Sequence, residues 1–192
     1  MLKKIAILLA LFFGFSIYAQ QTKVTSGTIQ RFEKFKSQFI EGRNVEVWLP
    51  NGYSKEEKYA VLYMHDGRML FDAESTWNKQ AWEVDQVAGK LISENKARKF
   101  IVVGIWNILE KRHPEYFPQK PYESLTQTQR DTITVQLQKA GRTKEIFKPY
   151  SDLYLKFLVT ELKPFIDKTF STKKDTANTF IAGSSMGALI SM

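Results

Sequence analysis

The hydrophobic positions of the chain change period several times, and each change marks a new element. In RNVEVWLP, residues 43–50, Val45, Val47 and Leu49 alternate with other side chains, the two-residue period of a strand with one buried face. The preceding IQRFEKFKSQF alternates less regularly, and both stretches read as strands at the edge of a sheet. Pro50, Asn51 and Gly52 then make a turn, because proline fixes its own backbone angle and Asn-Gly accepts positive φ.

Residues 59–64 and 100–106 are nearly continuous apolar runs, as in strands buried on both faces. Between them, WEVDQVAGKLISENK spaces Val84, Val87, Ala88, Leu91 and Ile92 at helical intervals. The later SDLYLKFLVTELKPFIDKTF carries Leu153, Phe157, Leu158, Leu162, Phe165 and Ile166 on one stripe. Ser151 or Asp152 is its expected N-cap, and Pro164 is where it should kink or restart. NTFIAGSS reads as a third short buried strand. Strand, helix, strand, helix, strand predicts a parallel sheet with right-handed crossovers. Residues 117–150 fit this layering least: a proline-rich FPQKPY precedes a polar, weakly periodic SLTQTQRDTITVQLQKAG. An insertion over the site and a plain surface excursion both stay open for it.

The start of the chain follows another rule. Lys3 and Lys4 precede an apolar run from Ile5 to Ile17, and Ala19 stands before Gln20 as a cleavage point. Residues 1–19 therefore read as a signal peptide. The run is shorter than the roughly 20 residues a membrane span needs, so no stable membrane anchor is expected and the product is exported, periplasmic or extracellular. The absence of cysteine excludes disulfides, a lipid-attachment cysteine and thiol chemistry. Losing Lys3 and Lys4 takes the net charge from +8 to +6, spread along the chain without a basic stripe interleaved with aromatics, so no nucleic-acid partner is expected. Residues 20–192 have single-domain length and ordinary globular composition.

The chemistry concentrates at the end of the third strand. Gly183-Ser184-Ser185-Met186-Gly187 is a G-x-S-x-G pattern between a predicted strand and an apolar, small-residue stretch that starts a helix. That context makes it a nucleophile elbow, a strained turn that lifts a serine oxygen to the carboxyl end of a sheet. Gly183 and Gly187 leave room for strand and helix to pack closely, and the N–H of Met186 faces a developing oxyanion. A second donor is expected after an earlier strand, where MHDGRMLFD offers the amide of Gly67 or Arg68, with Gly67 allowing a sharp turn. In proteins built on such an elbow the order is serine, acid, histidine, so His65 precedes the serine wrongly for a base. His65 and Asp66 are read as shaping the loop and His113 as a rim residue. Neither histidine stands at metal-ligand spacing, and no metal is expected.

VLYMHDGRMLFD, WEVDQ, FIVVGIWN, RHPEYFP, FLVTELKPFIDKTF and IAGSSMGALIS together resemble, in order from about Asn44 onward, the esterase family of α/β-hydrolases. This family includes esterase D, enterochelin esterases, feruloyl and acetylxylan esterases and the mycobacterial mycolyltransferases. The resemblance implies a mostly parallel α/β-hydrolase sheet with helices on both faces and no cofactor. It implies Ser185 as nucleophile, with the N–H groups of Met186 and of Arg68, which follows Gly67, as the oxyanion hole. It also implies an acid and a histidine after the elbow, past residue 192. Residues 20–192 are therefore expected to be the N-terminal part of a single catalytic domain, truncated after the elbow. The third strand would then carry an exposed apolar edge.

The function expected is an exported serine ester hydrolase acting on a small-molecule or carbohydrate ester, such as an acylated polysaccharide, a siderophore ester or a lipid-like ester. Two alternatives use the same scaffold: an acyltransferase, and a non-catalytic domain in which Trp77, Trp82 and Trp106 stack on sugars rather than filling the core.

Overall fold

The computed structural model describes residues 22–192, so the signal-peptide reading of residues 1–19 lies outside the described residues. Among the described residues five strands form one sheet: β1 (Thr28–Phe35), β2 (Arg43–Leu49), β3 (Ala60–Met64), β4 (Phe100–Ile105) and β5 (Thr179–Ala182), in the spatial order β1-β2-β4-β3-β5. β3 pairs in parallel with β4 on one side and β5 on the other, while β2 runs antiparallel to both β1 and β4. The carboxyl ends of β3, β4 and β5 therefore share one rim of the sheet.

The helices are α1 (Val84–Ser93), α2 (Arg112–Tyr116), α3 (Gln119–Glu123), α4 (Gln127–Lys139), α5 (Ser151–Phe157), α6 (Lys163–Thr169) and α7 (Met186–Ser191). They cover both faces of the sheet. On one face Val45, Val47, Val61, Ile101, Val103 and Ile105 pack under α5 and α6. On the other, Trp48 and Val102 meet Leu70, Phe71 and Ala88 of α1. Full burial of an aliphatic or aromatic side chain stabilises by about 2 kcal/mol, so these two layers dominate the free energy of folding.

The long amphipathic segment restarts at Pro164, in a specific way. A π-helical turn, Leu158–Leu162, separates α5 from α6, and Pro164 occupies the second position of α6. Proline lacks the N–H that a continuous helix needs there, and the wider turn absorbs the loss.

Several sequence expectations are corrected. β2 is internal rather than an edge strand: its alternation reflects Glu46, which is buried because Arg31 pairs with it at 2.7 Å and Trp106 Nε1 donates to it at 3.1 Å. β5 is not buried, since Phe180 and Ile181 are 44% and 40% exposed at the sheet's far edge. In α5 Tyr154 is buried alongside the expected Phe157 while Leu153 is exposed, because the tyrosine hydroxyl reaches His65. Val87 of α1 is exposed too, the inward face being completed by Val84, Ala88 and Ile92. The N-cap of α5 is Tyr150, and Ser151 Oγ instead accepts from the Gln119 N–H at 3.2 Å.

Residues 117–150 form a surface excursion with an aromatic core of its own, in which Phe117, Tyr122 and Phe147 meet edge to face. Its main helix, α4, begins with a capping box between Thr126 and Gln129, a local signal the polar periodicity concealed.

Candidate active site

The elbow takes shape at the end of β5. Ser185 has φ 56° and ψ −120°, a strained backbone for a residue with a Cβ, and α7 starts at the next residue. Gly187 and Ala188 donate back to the carbonyls of Ser184 and Ser185 at 2.8 and 2.9 Å, which closes the turn. A Cβ on Gly183 would lie 2.5 Å from the carbonyl carbon of Gly187, so strand and helix cross with no room for a side chain. Ser185 is exposed at the carboxyl rim of the sheet. Met186, as the first helical residue, has no acceptor for its N–H within the helix.

The loop after β3 lies directly beside this turn. His65 N–H donates to the Ala182 carbonyl at 3.0 Å, extending the β3–β5 pairing to the edge of the elbow. The chain then makes a short 3-10 turn, Gly67–Met69, whose bonds run from Met69 N–H to the Asp66 carbonyl and from Leu70 N–H to the Gly67 carbonyl. The amides of Gly67 and Arg68 therefore have no acceptor inside the turn. The residue in the left-handed conformation at this turn is Asp66, with φ 57° and ψ 41°. Gly67 is required for a different reason: a Cβ there would sit 2.6 Å from the backbone carbon of Gly104, because the turn presses on β4.

Asp66 is held by residues far away in sequence. Arg112 Nε and Nη2 donate to its two carboxylate oxygens at 2.8 Å each, and Asn107 Nδ2 donates to Oδ1. Tyr116 accepts from the Asp66 N–H at 3.4 Å. Arg112 and Tyr116 both lie on α2, which is anchored separately by a buried, bidentate pair between Glu115 and Arg43 at 2.6 and 2.7 Å. No sequence periodicity signals these contacts, which join residues dozens of positions apart.

His65 is fully buried, with Nδ1 2.8 Å from the Tyr154 hydroxyl and its ring packed against both Tyr116 and Tyr154, which also touch each other. Burial lowers its pKa to about 4, with Asp66 pulling weakly the other way and Arg112 reinforcing the drop. His113 is half-buried on α2 and shifted in the same direction, by burial first and then by Arg142 and Arg112. Among the described residues neither histidine hydrogen-bonds the Ser185 hydroxyl.

A cleft of about 390 Å³ is lined by Arg31, Lys34, Asn44, Arg68, Asp72 and Trp106 among others. Arg68 forms part of its wall, with its guanidinium 5.5 Å from the Trp106 ring centroid and Nε donating to the Ser75 carbonyl. Trp106 is thus a wall residue, and Trp82 packs on the second core. Trp77, expected in the core, is 86% exposed.

A family model named Esterase, described as "Putative esterase", matches residues 37–192. The chain belongs to this esterase family. An endo-1,4-beta-xylanase/feruloyl esterase of Xylanibacter ruminicola is 29% identical over 184 residues, which cover 90% of this chain and 20% of that protein. Among solved structures, the CE1 ferulic acid esterase AmCE1/Fae1A of Anaeromyces mucronatus, determined with ferulic acid, superposes with a TM-score of 0.53 at 22% identity, covering 88% of this chain and 52% of its own. An IroE-like serine hydrolase from Shewanella oneidensis superposes with a TM-score of 0.55 at 23% identity, covering 85% of this chain and 44% of its own. The fold of this chain is therefore that of an α/β-hydrolase, and the chain spans about half the length of these solved structures or less.

Proposed function

We propose that this esterase chain carries the nucleophile and the oxyanion-binding elements of an exported serine ester hydrolase. Ser185 attacks the ester carbonyl while a histidine that follows the elbow takes its proton, as the chain order of this fold requires. The carbonyl oxygen becomes an oxyanion held by the N–H groups of Met186 and Arg68, each donor worth about 3 kcal/mol of barrier. The alcohol leaves with the proton, and water then releases the acid from the acyl-enzyme.

The observation that carries this reading is the backbone of Ser185, a strained serine between β5 and α7 at a crossing where Gly183 touches Gly187. A folded chain gains nothing in stability from such a conformation, so the strain points to use of the exposed hydroxyl. An acylated carbohydrate is the substrate class favoured by the feruloyl esterase relatives. Export is supported by the two lysines and apolar run at the start of the chain. The test is hydrolysis of short-chain nitrophenyl esters by the full-length protein, with Ser185→Ala expected to abolish turnover while the melting curve stays unchanged. Full activity in a folded Ser185→Ala variant would sink the assignment.

A further inference from the structure

The carboxylate of Asp66 poses an electrostatic problem for the chemistry just described, on which this inference rests. Asp66 occupies the left-handed conformation that precedes the amides of Gly67 and Arg68, and aspartate and asparagine tolerate that region better than other residues with a side chain. Its Oδ2 lies 3.4 Å from where a Cβ on Gly187 would sit, so the same carboxylate touches the first turn of the helix that begins after Ser185. A negative charge so placed stands beside the position where the tetrahedral intermediate gathers negative charge, and like charges in a partly desolvated site repel.

We propose that Arg112 is a positioning residue with an electrostatic duty: its guanidinium neutralises Asp66 so that the carboxylate orders the oxyanion loop without opposing the oxyanion. The geometry suits that duty. Both carboxylate oxygens receive a guanidinium N–H at 2.8 Å, and the Asp66 side chain is almost fully buried while that of Arg112 is 20% exposed. The hydrogen bond to Asp66 holds the Arg112 guanidinium firmly in its charged form, outweighing partial burial. Asn107 supplies a neutral hydrogen bond that directs Oδ1 but leaves its charge in place. The placement of α2 does not depend on Arg112, because Glu115 and Arg43 anchor that helix within the core.

The prediction is a non-additive cycle. Arg112→Met leaves the carboxylate unpaired and should lower kcat by at least roughly 100-fold, the loss seen when one oxyanion donor fails, with little change in KM. Asp66→Asn keeps a short polar side chain suited to the left-handed region and should cost less than about tenfold. The double variant, with neither charge, should recover at least about tenfold of the Arg112→Met loss.

Rates are to be expressed per serine labelled to completion by diisopropyl fluorophosphate, so that misfolded molecules drop out of the comparison. Arg112→Lys, which restores the charge without the fork, should lie between wild type and Arg112→Met. Two results would overturn the proposal: a per-site kcat for Arg112→Met within about threefold of wild type, against the large loss expected from a defeated donor, or a double variant no faster than Arg112→Met. Activity surviving in Ser185→Ala would instead remove the underlying assignment of the nucleophile, an outcome visible separately in the same series.

Discussion

Gly183 and Gly187 meet backbone to backbone, with the position of a Cβ on the first only 2.5 Å from the carbonyl carbon of the second. β5 and α7 can cross this closely only with a bare backbone, and the crossing sets the angle at which Ser185 leaves the sheet. Gly183→Ala should destabilise the full-length protein by about 1–3 kcal/mol through overpacking. It should also lower esterase activity by more than its effect on the folded fraction, as read from urea titration beside a kinetic assay. Wild-type activity and stability in Gly183→Ala would contradict the crossing.

The proposed oxyanion loop predicts a contrast between backbone and side chain. Gly67→Val places a branched side chain where a Cβ already meets Gly104 at 2.6 Å, and it should lose most activity. Arg68→Ala keeps the amide and removes only a guanidinium at the cleft wall, so kcat on a small nitrophenyl ester should change little. Equal losses in the two variants would count against an N–H donor in this loop.

Burial of His65 carries a pH signature. Its folded pKa of about 4 lies below the ordinary histidine value, so the unfolded chain takes up the proton first as pH falls. The stability contributed by neutral His65 is present above about pH 6.5 and is lost between there and about pH 4, on the order of 3 kcal/mol in all. His113 shifts in the same direction and adds to the effect. Urea melts of the full-length protein at several pH values should show this decline, and His65→Asn should flatten it. An unchanged slope in the variant would remove His65 as the cause.

Much of the architecture was legible because apolar period reports burial directly, as in the runs that became β3 and β4. What period does not report is which neighbours stand on either edge of a strand. The alternation of Val45, Val47 and Leu49 in β2 suits an edge strand, whereas the strand is internal and Arg31 and Trp106 make the burial of Glu46 tolerable. Among the described residues Phe180 and Ile181 lie on a strand paired on one side only, which matches the exposed apolar edge expected of the third strand. At the site, the glycines and Ser185 were visible as a local pattern. The clamp on Asp66 was not, since Arg112 and Asn107 reach it only through the tertiary fold.

The outer edge of β5 has its own consequence. Among the described residues β5 pairs only with β3, and its exposed apolar side chains make it a template for pairing with another chain. Residues 22–192 expressed alone should self-associate in size-exclusion chromatography and show no ester hydrolysis above background. Replacing Phe180 and Ile181 by lysine should reduce the association. A monomeric, cooperatively melting and inhibitor-sensitive product would contradict this and return His65 or His113 to consideration as the base.

The most direct test of the account is the site of covalent labelling. The full-length protein, treated with diisopropyl fluorophosphate and digested, should yield by mass spectrometry a single phosphorylated serine, Ser185, in parallel with complete loss of esterase activity. Inactivation with the adduct on Ser184, Ser191 or any other residue, or undiminished activity after Ser185 is fully labelled, would contradict it.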